Sequence, residues 1–163
     1  MSAETTGGAA ACDVLIVGSG PAGASAAREL VRNGYKVLVV ESKKLPRYKI
    51  CSGLIVDRSQ DLVEEYFGSL PEDVFSEPRH LRGARFCLAG NTLNDVPLGK
   101  EDAYNVWRSS FDHWLVQRSG AAVWDQHQFV GFTESNDKVR VNIRREGRER
   151  IQVEASCLST ANS

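Results

Sequence analysis

The sequence predicts an α/β fold in which a parallel β-sheet is followed by a β-meander. Two short apolar runs, residues 13–18 and 36–41, are bounded by turn residues, as expected for strands buried on both faces of a parallel sheet. Between them, residues 21–33 place small and apolar side chains at helical spacing. Towards the end of the chain, segments alternate between apolar and polar residues. These patterns indicate a β-α-β unit with a right-handed crossover, followed by antiparallel strands.

The helix at 21–33 carries both a start and a stop signal. Pro21 stands in the favoured first turn, and Gly34 follows the last helical residue. The same kinds of signal predict the remaining elements. In chain order these are a loop at 42–53, a helix at 54–67, strands at 81–88 and 92–96 around a turn at 89–91, a helix at 106–119, a strand at 121–124, a meander at 127–133, 138–145 and 149–155, and the start of a further strand at 156–163.

The helix predicted at 106–119 has a large apolar face. Trp107, Phe111, Trp114 and Leu115 recur there at helical spacing. Because such a stripe usually packs into a core, we expect these side chains to be buried rather than to contact a cofactor.

The composition is that of an ordinary globular protein. The 163 residues carry a formal net charge of −1, which gives no field for attracting nucleic acid. The four cysteines lie far apart without metal-ligand spacing, and no apolar run approaches the roughly 18 residues of a membrane span. We therefore expect no metal site, no nucleic-acid partner and no transmembrane segment. We expect a cytoplasmic protein, with peripheral contact to a membrane left open, and a disordered tail at residues 1–12.

A glycine motif carries the strongest functional signal. The run from Gly18 to Gly23 fits G-x-G-x-x-G between a predicted strand and a predicted helix, and Glu41 ends the next strand. Gly18 permits a tight turn, Gly20 lets the backbone approach a pyrophosphate, and Gly23 lets the helix pack against the sheet. Glu41 would accept hydrogen bonds from ribose hydroxyls and repel a 2′-phosphate, which favours FAD or NAD over NADP. The pattern indicates a Rossmann-like nucleotide-binding fold; the alternative is a glycine-rich turn that binds nothing.

Three segments resemble known flavoproteins. Asp13–Glu41 resembles the FAD-binding N-terminus of proteins with the glutathione-reductase-type nucleotide fold, and its Pro-Ala-Gly ending is typical of the FAD versions. Pro46–Gly53 is similar to the Pro-Arg-x-Lys-x-Cys-Gly-Gly segment of geranylgeranyl reductases, with Ser52 in place of a glycine. Arg108–Leu115 is similar to the Arg-x-x-Phe-Asp-x-x-Leu helix of that family, which shares a branch with flavin monooxygenases of the p-hydroxybenzoate hydroxylase type. The resemblance covers about residues 13–155.

The resemblance implies FAD as the cofactor and a set of residues that contact it. Cys51, Ser52 and Gly53 would pass near the isoalloxazine or ribityl chain. Arg108 would face the phosphates, because a guanidinium can pair two phosphate oxygens. No catalytic residue is assigned. The candidate cofactor-binding residues are Gly18, Gly20, Pro21, Ala22, Gly23, Glu41, Ser42, Arg47, Cys51, Ser52, Gly53, Arg108 and Val130.

Simpler roles stay open for some of these positions. Arg108 can instead form a solvated ion pair with Asp112, four residues on. Cys51 can be an unreactive small residue. The basic run at 43–49, which includes Arg47, is more typical of a solvated loop, although it could lie beside the FAD phosphates or an anionic substrate.

The resemblance implies an FAD-dependent oxidoreductase that reduces double bonds of a prenyl lipid or another apolar small molecule. Reduced FAD would carry the chemistry, and the electron donor is not indicated. The alternatives are a flavin-dependent monooxygenase or halogenase, and an inert FAD-binding fragment.

In that family the meander is followed by an Asp-Gly strand motif, a Gly-Asp flavin segment and most of the substrate pocket, and neither motif precedes Ser163. We therefore expect an apparently truncated FAD-binding domain over residues 13–163, with the start of a substrate-domain insertion at about 69–103. We also expect an unpaired sheet edge beside the first strand or its neighbours, poor FAD binding, aggregation and no turnover.

Overall fold

The computed structural model describes residues 10–99, 102–135, 137–145 and 150–160. The chain forms two compact units, each with its own β-sheet structure. The first unit is residues 1–47 and 115–163, and the second unit is residues 48–114. The predicted insertion at about 69–103 lies inside the second unit, and its assignment to a substrate domain stays a prediction.

The helices are α1 (Pro21–Arg32), α2 (Arg58–Phe67) and α3 (Arg108–Arg118). The strands are β1 (Ala10–Val17), β2 (Val37–Val40), β3 (Leu54–Ile55), β4 (Phe75–Leu81), β5 (Gly83–Leu88), β6 (Asn91–Pro97), β7 (Ala103–Val106), β8 (Ala122–Trp124), β9 (His127–Ser135), β10 (Lys138–Arg145) and β11 (Arg150–Thr160). β1 begins at Ala10, so the prediction of a disordered tail is wrong for residues 10–12. The rest of that predicted tail, residues 1–9, lies outside the described residues.

A six-stranded sheet forms the first unit in the order β8-β2-β1-β11-β10-β9. β8, β2, β1 and β11 run parallel to one another. β10 runs antiparallel to its two neighbours, β11 and β9. The predicted combination of a parallel sheet and a meander is therefore confirmed. Leu15 on β1 lies opposite Leu38 on β2 and Leu158 on β11, so β1 is paired on both sides. β1 itself therefore has no unpaired edge, whereas among the described residues the sheet ends at β8, beside the neighbouring strand β2, and at β9.

Strand β11 joins the two parts of the sheet. Residues 150–155 pair with β10, and residues 153–160 pair with β1. The sequence predicts two segments here, 149–155 and 156–163, whereas the structure has one continuous strand to Thr160. No glycine or proline interrupts this stretch, so nothing in it forces a turn.

The core of the first unit connects the parallel strands with the meander. Leu15 and Leu38 from the parallel strands cluster with Val141 and Ile143 of β10 and with Val153 of β11, and all five are at most 5% exposed. This cluster buries one face of β1. The neighbouring residue Ile16 points the other way because side chains alternate along a strand.

Helix α1 packs through small residues. Gly23, Ala24 and Ala27 are its buried residues, and Ile16 lies on the side of β1 that faces Gly23. The helix ends where the N–H of Asn33 donates to Glu29 and Leu30. Small residues on this face let the helix backbone approach the sheet closely.

The second unit contains a three-stranded sheet, β3-β7-β4, and the β5–β6 hairpin. Ala89 (φ +49°) and Gly90 (φ +80°) form the hairpin turn that the sequence predicts. The helix predicted at 54–67 begins only at Arg58, because Leu54 and Ile55 pair with β7 as strand β3. The predicted strand at 81–88 starts at Gly83, and β4 precedes it unpredicted.

Helix α3 begins at Arg108, two residues after its predicted start. Val106 belongs to β7, and Trp107 lies between strand and helix with 58% of its surface exposed. The prediction that Trp107 shares the helix core is therefore wrong. Phe111 and Leu115 are buried as predicted.

Candidate cofactor-binding site

The glycine loop connects β1 to α1 as the motif predicts. Gly18 has φ +103°, a conformation that favours glycine, and its N–H donates to the carbonyl of Val40 at 2.8 Å. Gly20 is the N-cap of α1. A Cβ on Gly23 would overlap the carbonyl oxygen of Gly18. The loop therefore closes tightly only because residue 23 has no side chain.

The N-terminus of α1 is suited to an anion. Gly20 provides no side-chain cap, and the first turn contains no acidic residue. Pro21 has no N–H, and the N–H of Ala24 donates to Gly20 at 2.9 Å as the helix begins. The first-turn N–H groups of Ala22 and Gly23 have no acceptor within the helix, so they and the helix dipole favour a negatively charged ligand.

Glu41 follows the last residue of β2 and reaches back to the glycine loop. Its Oε2 accepts hydrogen bonds from the hydroxyl (2.8 Å) and N–H (3.3 Å) of Ser19 and from Nε of Arg47 (2.9 Å). Its Oε1 accepts from the hydroxyl of Ser42 and the N–H of Lys43, each at 3.1 Å. Glu41 is 6% exposed and Ser19 is fully buried. The carboxylate is thus fixed beside the loop by five donors.

These donors keep Glu41 ionised. Burial by itself would raise the pKa of the carboxyl, but the hydrogen bonds from Arg47, Lys43 and Ser19 and the charge of Arg47 outweigh it. The pKa falls from its ordinary value of 4.5 to about 2. A full negative charge is therefore present at the end of β2 at neutral pH.

Arg47 departs from the expectation for a solvated loop. Its side chain is 7% exposed and pairs with Glu41, whereas Lys43 and Lys44 of the same basic run are exposed. Sequence spacing does not distinguish Arg47 from the lysines. The difference arises because the chain after β2 turns back and brings the side chain of Arg47 to the buried carboxylate, whereas Lys43 contacts it through its backbone N–H.

In the second unit, the segment 51–53 is fixed to β7. Cys51 and Ser52 are exposed, and Gly53 is buried with φ +74°. The carbonyl of Gly53 accepts a hydrogen bond from the N–H of Val106 at 2.8 Å. A Cβ on Gly53 would overlap the carbonyl oxygen of Val106, so this close approach also requires glycine.

Arg108 forms the ion pair with Asp112 that the sequence leaves open, but the pair is not solvated. Nε and Nη2 of Arg108 donate to the two carboxylate oxygens at 2.8 and 3.0 Å. The side chains are 17% and 1% exposed, respectively. Arg108 also donates a hydrogen bond to the sulfur of Cys51.

Val130 lies on the edge strand β9. It stands at the register shift between the pairs Asn142–Gly131 and Ile143–Phe129, and it is 44% exposed. A β-bulge of this kind redirects side chains and often occurs beside functional sites. A cofactor contact at Val130 stays a prediction.

The structure brings the predicted residues together in two groups. Gly18 to Gly23 lie with Glu41, Ser42 and Arg47 in the first unit, and Cys51 to Gly53 lie with Arg108 in the second unit. Sequence reasoning missed Ser19 and the buried state of Asp112. A hydroxyl inside the glycine motif, 22 residues before the acidic residue, is the only signal for Ser19.

Known proteins identify the family. A sequence profile described as "FAD binding domain" matches residues 11–161. The chain belongs to this family. FAD, the cofactor that the sequence predicts, is therefore confirmed as the cofactor of the family.

The similar proteins include reductases and halogenases. A geranylgeranyl diphosphate reductase from Rhodobacter capsulatus is 30% identical over 110 residues, which cover 68% of this chain and 26% of the reductase. A flavin-dependent halogenase from Armillaria mellea is 28% identical over 156 residues, which cover 88% of this chain and 28% of the halogenase. The crystal structure of a geranylgeranyl bacteriochlorophyll reductase-like protein from Thermoplasma acidophilum matches with a TM-score of 0.76 and 26% identity, covering 96% of this chain and 40% of that chain. The chain thus spans less than half the length of each of these proteins.

The residues of this FAD binding domain fit the adenosine and pyrophosphate parts of FAD. The glycine cradle, the absence of an acidic residue from the first turn of α1, and the ionised Glu41 all agree with that ligand. In the part of the chain that the structure describes, no helix is long and apolar enough to cross a membrane.

Proposed function

We propose that the first unit binds the adenosine and pyrophosphate of FAD. The loop from Gly18 to Gly23 and the first turn of α1 receive the pyrophosphate, and Glu41 accepts hydrogen bonds from the ribose hydroxyls. The observation that carries this proposal is the position of Glu41, an ionised carboxylate whose Oε2 lies 2.8 Å from the hydroxyl of Ser19 inside the loop.

The hydroxyls of Ser19 and Ser42 donate to Glu41, the carboxylate that we propose accepts hydrogen bonds from the ribose hydroxyls. A carboxylate has about four acceptor positions, and five donors already surround Glu41. The N–H groups of Ser19 and Lys43 belong to the backbone, and Arg47 is buried. The exposed hydroxyl of Ser42 can rotate about a single bond towards water, so a ribose can take its place at low cost, whereas the hydroxyl of Ser19 is fully buried and costly to displace. Ser42 is exposed and is the one we expect to move.

The charge on Glu41 also sets the nucleotide class. A ribose 2′-phosphate would bring a second negative charge to a buried carboxylate that already carries one, and this repulsion is strong where water is excluded. The site therefore accepts an unmodified ribose, as in FAD, and rejects a 2′-phosphorylated one.

We propose further that the protein is an FAD-dependent oxidoreductase of the geranylgeranyl reductase type, acting on double bonds of a prenyl lipid or another apolar small molecule. The support is the identity with reductases and the segment Pro46–Gly53, which resembles theirs. Bound FAD, once reduced by a donor, would supply the electron pair; the residues of this chain bind and orient it.

The cofactor proposal is tested by titrating the chain with FAD and with FMN, which lacks the adenosine part. We expect the flavin fluorescence of FAD to change on binding. We expect FMN to bind at least about tenfold more weakly than FAD, because the proposed contacts all lie on the adenosine side of FAD. Equal binding of the two flavins would contradict the proposal.

A halogenase or monooxygenase is the second candidate, and the identity with flavin-dependent halogenases favours it. Incubation of the protein with a reductant, FAD and either a prenyl lipid or an aromatic compound under oxygen separates the two. Saturation of the prenyl chain supports the reductase; oxygen-dependent hydroxylation or halogenation of the aromatic compound supports the second candidate. The absence of turnover with both would support an inert FAD-binding chain.

A further inference from the structure

Asp112 is a buried carboxylate with a specific partner. It is fully buried in α3 and accepts both hydrogen bonds of the Arg108 guanidinium, at 2.8 and 3.0 Å. A two-pronged bond of this kind fixes the plane of the guanidinium as well as its position. A buried charge pair is retained only with such geometry, because the removal of both groups from water is costly.

The guanidinium extends from Asp112 to an exposed thiol. Arg108 donates a hydrogen bond to the sulfur of Cys51, which also accepts from the N–H of Gly53 and the side chain of Ser52. Arg108 therefore bridges a buried carboxylate on α3 and an exposed sulfur on the 51–53 segment.

The backbone holds both ends of this bridge in place. The N–H of Val106 donates to Gly53, and Leu54 pairs with Asn105 across β3 and β7. Arg108 follows β7 by two residues. The 51–53 segment and the start of α3 are thus anchored on the same strand, and Asp112 is left to orient the side chain between them.

We propose that Asp112 is a positioning residue that holds the guanidinium of Arg108 against Cys51 and so keeps the 51–53 segment and Arg108 in one arrangement. That this segment contacts a flavin rests on the proposed function. The positioning itself does not, since every contact in it lies within the second unit.

The thiol of Cys51 reports on this arrangement. The N–H of Gly53 and then the hydrogen bond from Arg108 hold the pKa of Cys51 below its ordinary value. Among the described residues, Arg108 is the charged group that acts on this thiol, and Asp112 acts on Arg108. Displacement of the Arg108 guanidinium from Cys51 would therefore raise the pKa of Cys51.

The experiment measures the rate at which iodoacetamide alkylates each cysteine between pH 5 and 10, read by mass spectrometry of peptides. The thiolate sulfur attacks the carbon that bears iodine, the C–S bond forms, and iodide leaves. In the unmodified chain we expect the pH midpoint of Cys51 to lie below those of the exposed Cys87 and Cys157. A midpoint of Cys51 at or above theirs would overturn the proposal.

The variant Asp112→Asn distinguishes the positioning of Arg108 by Asp112 from a direct effect of the Asp112 charge on Cys51. Removal of a nearby negative charge would by itself lower the pKa of Cys51 further, whereas loss of positioning raises it. We expect a higher midpoint and a lower rate at pH 7, because the greater nucleophilicity of a thiolate with a higher pKa offsets only part of the loss of thiolate. An unchanged or lower midpoint would overturn the proposal.

Controls in the same chain separate these results from unfolding. Cys12 is partly buried and its pKa is raised to about 11 by burial, so its slow alkylation reports an intact first unit. Glu72→Gln removes another carboxylate that is hydrogen-bonded to an arginine, through Nη1 of Arg79, and should leave the midpoint of Cys51 unchanged. If Asp112→Asn also alters the alkylation rates of Cys87 and Cys12, the variant Arg108→Lys tests the proposal in its place. It keeps the charge but cannot form the two-pronged bond, and it must raise the midpoint of Cys51.

These results are independent of FAD, which is absent from the assay. A failure of FAD to bind the chain would refute the proposed function and leave the positioning of Arg108 intact. An unmoved Cys51 midpoint would refute the positioning and leave the first-unit site intact.

Discussion

The carboxylate of Glu41 is both buried and ionised, a combination that its five donors make stable. The pKa of about 2 lies below the ordinary 4.5, so the folded state binds the proton less tightly than the unfolded state. The ionised form therefore stabilises the fold above about pH 4.5, and this contribution is lost as the pH falls towards 2. At about 1.4 kcal/mol per pKa unit, this contribution to the free energy of unfolding amounts to about 3.5 kcal/mol at most.

Glu41→Gln should remove this pH dependence. At pH 7 we expect the variant to be less stable, because the buried guanidinium of Arg47 loses the carboxylate that accepts its Nε–H at 2.9 Å. The difference in unfolding free energy from the unmodified chain should narrow between pH 5 and pH 2.5, as measured by urea unfolding at each pH.

Glu154→Gln is the matched control. Glu154 also has a lowered pKa, from hydrogen bonding to Arg140, but its side chain is only partly buried, at 35% exposure, and should contribute little. A stability difference for Glu41→Gln that stays constant over the whole pH range would contradict the ionised state of Glu41.

At this scale the sequence predicts Glu41 and the glycines but not the network that joins them. The acidic residue and the glycine motif have a fixed spacing set by a β-α-β unit. Ser19 and Arg47 contact Glu41 through side-chain directions that depend on the loop conformation, which a pattern of residue types does not specify. The exposed lysines beside Arg47 show that charge alone does not identify the partner.

At the scale of elements, α1 and the loop before it depend on close backbone contact. Gly23 faces Gly18 where a Cβ would overlap a carbonyl oxygen. Gly131, on β9, has no atom within 4 Å of the place a Cβ would occupy. The two glycines therefore differ in what an added methyl group would do.

Gly23→Ala should destabilise the chain by about 1–3 kcal/mol, the usual cost of overpacking a tight site. Gly131→Ala should change stability by less than about 1 kcal/mol. Urea unfolding followed by circular dichroism measures both. Equal effects of the two substitutions would contradict the close approach of loop and helix.

The elements that the sequence predicts well are those with local signals. The strand, loop and helix from β1 to α1 carry apolar runs, glycines and a proline, and the hairpin turn at Ala89 and Gly90 carries turn residues. Leu54 and Ile55 also fit a helix, but pairing with β7 makes them a strand. Such tertiary pairing with residues about fifty positions away leaves no local signal.

At the scale of the whole molecule, β11 explains how the first unit is completed. One strand pairs antiparallel with β10 and parallel with β1, so the meander and the parallel sheet share a core that includes Leu15, Ile143 and Val153. The sequence predicts the meander and the parallel sheet separately. It does not predict that a single strand joins them, because strand order depends on contacts between distant segments.

The resemblance predicts the start of an insertion at about 69–103, but the sequence does not predict that the first unit is interrupted over residues 48–114. No linker composition marks the junctions near residues 47 and 115, and α3 runs across the second of them without a break. Membership of the FAD binding domain family extends over residues 11–161 and so includes both units.

We propose that Glu41 and the glycine loop form the adenosine side of an FAD site. The affinity of Glu41→Gln for FAD is to be measured beside those of the unmodified chain and of Glu154→Gln. Loss of a charge-assisted hydrogen bond to ribose should raise the Kd of Glu41→Gln by about tenfold or more, equivalent to about 1.5 kcal/mol, and Glu154→Gln should bind as the unmodified chain does. An unchanged Kd for Glu41→Gln, in a chain shown by circular dichroism to be folded, would contradict the account.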